Sequence, residues 1–442
     1  MRHKTLALLI ATNLYTVTSH AGAASNRHKP IQPRLTQEQQ LGQTLYMDRD
    51  LSRNRNQSCA TCHSLEPAHD LLTRKKLPSP GFVDPDNVVQ GTPVSAGSVA
   101  GHFGRLNTPS AGYAAFSPFF HWNGDEGLYI GGQFWNGRAN TLAEQAGAPF
   151  LNPDEMAMPS AWAVISRLKE KHQYQKLFRK LYDLDLDAVP AYEDAPATLM
   201  PPPGVGEIYT RLTQAIAAFE KGPAFNRFTS KFDFYLAGQA QLTDQESLGF
   251  AVFQDETKGN CAACHLSAPT IAADGNPFPP LFTDFTYDNI GVPRNVNIPG
   301  NPEPDPGLGG RADIAARNPT GELGKHKVMS LRNIALTPPY AHNGVFKTLE
   351  QIVHFYNTRD VLGAIADNND PGFGTSGWPA PEVAENVNTD ELGNLGLTTE
   401  EETALVAFMK TLTDGYPDWG KDPNVPPGTP SPYATTPFPP MP

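Results

Sequence analysis

Two short runs in this chain place a pair of thiols and an imidazole side by side: Cys59-Ala60-Thr61-Cys62-His63 and Cys261-Ala262-Ala263-Cys264-His265. Between them they use all 4 cysteines of the sequence. Thiols two residues apart on one helical turn can both add to the vinyl groups of one porphyrin, and the histidine that follows can turn its imidazole to the iron. The default for cysteines in an exported chain is disulfide pairing. A thioredoxin-like motif has no need of a histidine twice, and zinc sites usually show other spacings. The pattern predicts two covalent c-type haems, attached at Cys59 and Cys62 with His63 as iron ligand, and at Cys261 and Cys264 with His265.

An internal repeat positions both motifs. Leu35-Thr36-Gln37-Glu38-Gln39 runs through Leu41-Gly42 to the first, and Leu242-Thr243-Asp244-Gln245-Glu246 through Leu248-Gly249 to the second. Thr36 with Gln39 and Thr243 with Glu246 have the spacing of capping boxes, so each unit reads as helix, loop, haem motif. Thr398-Thr399-Glu400-Glu401 is a further capping box, and Leu405, Phe408, Met409 and Leu412 follow on one helical face. Ile208, Leu212, Ile216 and Phe219 mark another amphipathic helix, preceded by a Pro-rich loop or linker at 190–206.

The chain has 442 residues, 39% hydrophobic and 10% aromatic, enough for packed cores. Charged residues are only 18%, while 38 Gly and 43 Pro predict many turns and long loops. A formal charge of −12 argues against a nucleic-acid binder. At the N-terminus, Arg2 and Lys4 precede a mostly apolar run, Thr5 to Val17, and an Ala21-Gly22-Ala23 cleavage site. This reads as an export signal, too short to span a membrane, with a structural helix as the alternative. The expected organisation is a signal peptide at 1–23, a first haem domain at 24–225, a second at 226–415 and an extended Pro-rich tail at 416–442. The fold class expected is mainly α, two cytochrome-c-like haem domains with long loops.

Five further stretches carry a resemblance to the bacterial di-haem cytochrome c peroxidases and MauG. They are Asn107-Thr108-Pro109; Gln133-Phe134-Trp135-Asn136-Gly137-Arg138 on to Glu144-Gln145; Asn152-Pro153-Asp154-Glu155-Met156; Phe232-Asp233 with Tyr235-Leu236-Ala237-Gly238; and Ser330-Leu331-Arg332-Asn333 through Tyr340, His342, Asn343 and Gly344 to Thr348-Leu349-Glu350. They cover residues 35 to 415 in the family's order.

The resemblance implies an H2O2-reducing enzyme whose first haem keeps an open face. Glu155 would be the distal acid–base residue, Gln145 its hydrogen-bonding companion, and Pro149 a residue above the haem face. Burial would raise the Glu155 carboxyl's pKa and suit it to moving a proton; a solvated loop acid is the plain alternative. Trp135 would relay electrons between the haems, or be a core aromatic, or both. Trp122, in the echoing Phe120-His121-Trp122-Asn123-Gly124, is its rival, on an apparent insertion at 117–132. One Ca2+ between the haems would be held by the Asn107 side chain and the carbonyls of Thr337 and Pro339.

Two departures from the peroxidase pattern stand out. Many members block the first iron with a histidine where this chain has Ser98; His69 and His102 are nearby substitutes or plain surface histidines. Where many members carry an axial methionine for the second iron, this chain has Tyr356, as MauG does. Met329 is the thioether rival; Met409 lies on the last helix's apolar face and Met441 in the tail. A phenolate lowers the iron potential relative to methionine. The leading expectation is a peroxidase drawing electrons from a protein donor, a small cytochrome or copper protein. One alternative is a MauG-like enzyme that oxidises Tyr or Trp of a partner protein. Another is a non-enzymatic electron-transfer cytochrome. The expected partners exclude nucleic acid and a membrane span, leave a homodimer open, and place the chain in the periplasm or at the cell surface.

Overall fold

The computed structural model describes residues 34–67, 76, 79–192, 200–271, 275 and 277–433. The expected signal peptide, His69 and Met441 lie outside the described residues. Among those described, helices dominate, and the strands form four two-stranded pairs of two or three residues each.

The three predicted capping boxes form. Thr36 caps the Gln37–Tyr46 helix with Gln39, Thr243 the Asp244–Gln254 helix with Glu246, and Thr398 the Thr399–Lys410 helix with Glu401. The fourth predicted helix is Val205–Glu220. These four pack as two crossed pairs built alike. At Gly42 the Ala215 carbonyl and the Phe219 side chain come so close that a Cβ would overlap the backbone oxygen. At Gly249 the Ala404 carbonyl and Phe408 do the same. Glycine at these two crossings is what lets each pair seat at contact distance.

Each crossing seeds an apolar core. One joins Leu41, Leu45 and Tyr46 to Leu212, Ile216, Phe219 and Phe225. The other joins Phe232, Val252 and Phe253 to Phe282, Leu405, Phe408 and Met409. Residues 33–442 form one compact unit around both. A fully buried pair, Arg332 with Asp233, adds two hydrogen bonds at 2.9 and 3.0 Å. Paired so completely, neither charge is left exposed to the apolar interior.

The 117–132 segment departs from the plain added loop of the sequence reading. His121–Asn123 pairs antiparallel with Leu128–Ile130, and Gly127, at φ +70°, closes the turn onto the Asn123 carbonyl. The tail is also more structured at its start than expected. Tyr416–Trp419 forms one helical turn, Tyr416 packs with Phe234 and Val425, and the Ser431 hydroxyl donates to the Phe228 carbonyl at 2.6 Å. A single turn is too short to leave a periodic signature.

Candidate functional site

The two cores share a cavity of about 650 Å³, lined by both cysteine pairs and both motif histidines. All four thiols are free, and burial raises their pKa values, that of Cys62 to about 12. Each histidine is held by the same device. The His63 Nδ1 faces the Phe82 carbonyl at 3.2 Å, and the His265 Nδ1 faces the Phe282 carbonyl at 2.8 Å. A carbonyl can only accept, so Nδ1 carries the hydrogen and Nε2 keeps its lone pair for a metal. Phe82 and Phe282 take positive φ values of 56° and 54° to aim these carbonyls. Ser110 and Ser330 brace the preceding residue in each copy, donating to the Gly81 and Leu281 carbonyls at 2.7 and 2.6 Å. Paired thiols with a neutral, oriented imidazole are the donor set a covalent haem requires, and the chain provides it twice.

Glu155, Gln145, Pro149 and Trp135 all line this cavity. Gln145 and Pro149 project from the Leu142–Leu151 helix, capped by Thr141. Burial pushes the Glu155 carboxyl above the ordinary range, while the Arg138 charge and a 2.7 Å hydrogen bond from Asn152 pull the other way. The Glu155 side chain is half-buried on the cavity wall. The Trp135 indole donates to the Asn107 carbonyl at 2.8 Å and packs edge-to-face with His342 at 6.4 Å.

Ser98 does not line the cavity. Its hydroxyl donates to Asn56 Oδ1 at 2.7 Å, and its N–H holds the Glu155 carbonyl at 2.6 Å. His102 is half-exposed and paired with Asp154 at 3.0 Å, also away from the cavity lining. Asn107, Thr337 and Pro339 do line it. The Asn107 amide nitrogen is bound to the Pro93 carbonyl at 2.9 Å, which turns Oδ1 the other way. Among the described residues no cluster of three His, Cys, Asp or Glu is arranged for a metal ion, so neutral oxygens would have to serve.

Around the second motif, Tyr356 reaches the cavity from the Leu349–Thr358 helix. Burial and the neighbouring Cys264 and Asp288 raise its phenol's pKa. Met329 and Met409 line the cavity too.

Several lining groups carried no assigned role in the sequence. Arg138 stacks on the Phe134 ring at 3.4 Å and faces Glu155. Glu220 is buried with one oxygen unpartnered, its carboxyl pushed up to about 8. Lys327 is buried without a carboxylate, and burial brings its ammonium down to about 7; it donates to the Gly132 carbonyl at 2.7 Å. His326 stacks on His342 at 3.6 Å, and Asp305 and Glu382 flank the pair.

Residues 36–241 match the family model described as di-haem cytochrome c peroxidase. The methylamine utilization protein MauG of Paracoccus denitrificans is 38% identical over 381 residues, covering 85% of this chain and 88% of that protein. The chain belongs to the di-haem cytochrome c peroxidase family. Other members are similar at comparable levels. The cytochrome c peroxidase Ccp of Escherichia coli is 32% identical over 80% of this chain and 61% of its own length. The diheme peroxidase BthA from Burkholderia thailandensis superposes with a TM-score of 0.68 at 31% identity, covering 86% of this chain and 87% of that one. Among the described residues of this family member, no helix is long and apolar enough to cross a membrane.

Proposed function

We infer that this chain reduces H2O2 to water with electrons from a protein donor, outside the cytoplasm, in two cytochrome-c-like haem domains divided near residue 225. The haems are attached through Cys59 and Cys62, and through Cys261 and Cys264, with His63 and His265 as iron ligands. When bound, they supply iron that takes a peroxide oxygen and stores oxidising equivalents.

The chain's own residues do the rest. Glu155 accepts the peroxide proton and returns it to the leaving oxygen, a role that suits a carboxyl whose burial weakens its acidity. Asn152 fixes that carboxylate. Gln145 orients the peroxide by hydrogen bonding. Trp135, tied to Asn107, relays electrons between the two halves. Tyr356, which reaches the cavity from the Leu349–Thr358 helix, would be the second protein ligand of the haem held by His265, with Met329 as its rival. Asn107 Oδ1 with the Thr337 and Pro339 carbonyls holds one Ca2+, a set of hard neutral oxygens. The observation that carries the reading is the meeting of both motifs with Glu155, Gln145 and Trp135 on one cavity.

A second reading, oxidation of a Tyr or Trp of a partner protein, is favoured by Tyr356, because a phenolate ligand favours keeping oxidising equivalents. One experiment separates them. Oxidised holoprotein is mixed with H2O2 and a reduced small c-type cytochrome. Peroxide-dependent oxidation of the cytochrome supports the donor reading. Peroxide consumption with an unreacted cytochrome supports the second. No consumption, with both haems low-spin by electron paramagnetic resonance, returns the chain to a plain electron carrier.

A further inference from the structure

The hairpin at 121–130 is the part of the chain that the peroxidase chemistry leaves unexplained. Trp122 is 51% exposed, and Phe119 and Leu128 beside it are 49% and 39% exposed. In the antiparallel register Trp122 stands opposite Tyr129 and Leu128 opposite Asn123, so the exposed indole shares its face with Tyr129, while Leu128 lies on the other face. Two acidic residues, Asp125 and Glu126, occupy the turn next to Trp122, and the Glu126 charge reaches Asp284.

Behind this face the rings are in continuous contact. Trp122 meets Tyr129 edge-on at 4.8 Å. Tyr129 stacks on Phe120 at 5.3 Å, 6° from parallel. Phe120 meets Tyr287 at 6.0 Å. Tyr287 is buried on the Tyr287–Asp288 strand, and the next residue, Asp288, lines the cavity beside Cys264 and Tyr356. The partner strand His326–Lys327 places the Lys327 N–H on the Trp135 carbonyl at 2.7 Å. The file of rings thus leads from solvent to the wall of the second haem motif. Electron transfer weakens steeply with separation; Trp122, Tyr129 and Tyr287 are the oxidisable stations, and the Phe120 ring, too hard to oxidise, is the contact that bridges Tyr129 and Tyr287.

We propose that this hairpin is an electron port of the enzyme, with Trp122 as its outer terminus and Tyr129, Phe120 and Tyr287 as the path inward. The inference rests on the peroxidase reading above. In turnover, H2O2 takes two electrons and two protons to give two waters. Each electron is drawn from Trp122, which a docked redox protein then reduces back. The acidic turn beside the exposed Trp122 indole fits a donor with a basic rim around its own exposed cofactor edge. With no donor present, Trp122 itself is the reductant. Its indole loses two electrons and one proton and takes the hydroxyl of a water, whose remaining hydrogen leaves as the second proton, so that hydroxytryptophan forms while H2O2 takes up the two electrons and two protons to give two waters.

The test uses the holoprotein with H2O2 and no donor, followed by peptide mass mapping. Trp122 should gain one oxygen. Tyr129→Phe keeps the stacked ring but removes the oxidisable phenol, and should lower that modification severalfold. In Trp122→Phe the modification should move to Tyr129. Unmodified Trp122 in a protein that does consume H2O2 overturns the port. Equal modification in wild type and Tyr129→Phe also overturns it, because diffusing oxidant would then be the cause. If H2O2 is not consumed at all, the peroxidase reading fails and the port fails with it.

Discussion

The Trp135 indole N–H donates to the Asn107 carbonyl at 2.8 Å, and the Asn107 N–H donates in turn to the His342 carbonyl at 2.7 Å. The proposed relay and the proposed calcium ligand are therefore neighbours on one rigid path. Removing calcium with a chelator, or Asn107→Ala, should loosen Trp135 without releasing either covalent haem. The expected outcome is slower sharing of oxidising equivalents between the haems after one equivalent of H2O2, followed by stopped-flow absorbance. Unchanged kinetics in the calcium-free protein would separate the ion from the relay.

Glu155→Gln keeps the hydrogen-bonding shape but cannot carry the proton. The bimolecular reaction with H2O2 should slow by roughly 10²–10⁴-fold while both haems remain attached. An unchanged rate constant would remove Glu155 from the mechanism.

Tyr356 is the proposed ligand of the second haem. Because Ser98 lies off the cavity and bonds to Asn54 and Asn56, the resting oxidised protein should react with H2O2 without prior reduction. Tyr356→Phe should shift the ligand-sensitive absorption of one haem, and Tyr356→Met should shorten the life of the oxidised state. If no reaction occurs until one haem is reduced, a blocking ligand exists after all. If Tyr356→Phe leaves the spectrum untouched, Met329 or Met409 becomes the better candidate.

How much of this was legible in the chain depended on range. Capping boxes span three residues, so Thr36, Thr243 and Thr398 could be read directly. The haem motifs are equally local. The carbonyls that orient His63 and His265 come from Phe82 and Phe282, 19 and 17 residues away, on positive-φ backbone that no residue type announces. The strands around Trp122 are three residues long, below the length at which alternation is informative. Glu220 reads as an ordinary polar residue at a helix end; only the fold reveals that it is buried and unpartnered. The Gly42 and Gly249 repeat was visible as sequence, but its cause, a carbonyl at the crossing, was not.

Glu220 makes stability depend on pH. Its folded pKa of about 8 lies above the ordinary 4.5, because burial favours the neutral acid. The stabilisation from keeping it neutral is complete below 4.5 and is lost as pH rises through about 8. Glu220→Gln, which cannot ionise, should resist urea better than the parent at pH 9 and behave alike at pH 4. A parent-to-variant difference independent of pH would mean that Glu220 finds a partner in the holoprotein.

Gly249→Ala should destabilise the second half by about 1–3 kcal/mol, since a methyl group has to displace the Ala404 backbone. Gly42→Ala should do the same to the first. Urea midpoints check both. Parental midpoints would show that the crossings can widen at little cost.

The twin carbonyl clamps on His63 and His265 have a chemical consequence. Both imidazoles face the same kind of acceptor and would be held in the same tautomer, with the hydrogen bond shorter at His265, 2.8 Å, than at His63, 3.2 Å. In the proposed reading the larger chemical difference between the two centres is on the other wall of the cavity, Glu155 and Gln145 for one and Tyr356 for the other. A duplicated half of this kind can keep its attachment chemistry constant and acquire a second role by substitutions on one face alone. Exchanging Glu155, Gln145 and Tyr356 between the halves is the direct way to redraw that asymmetry.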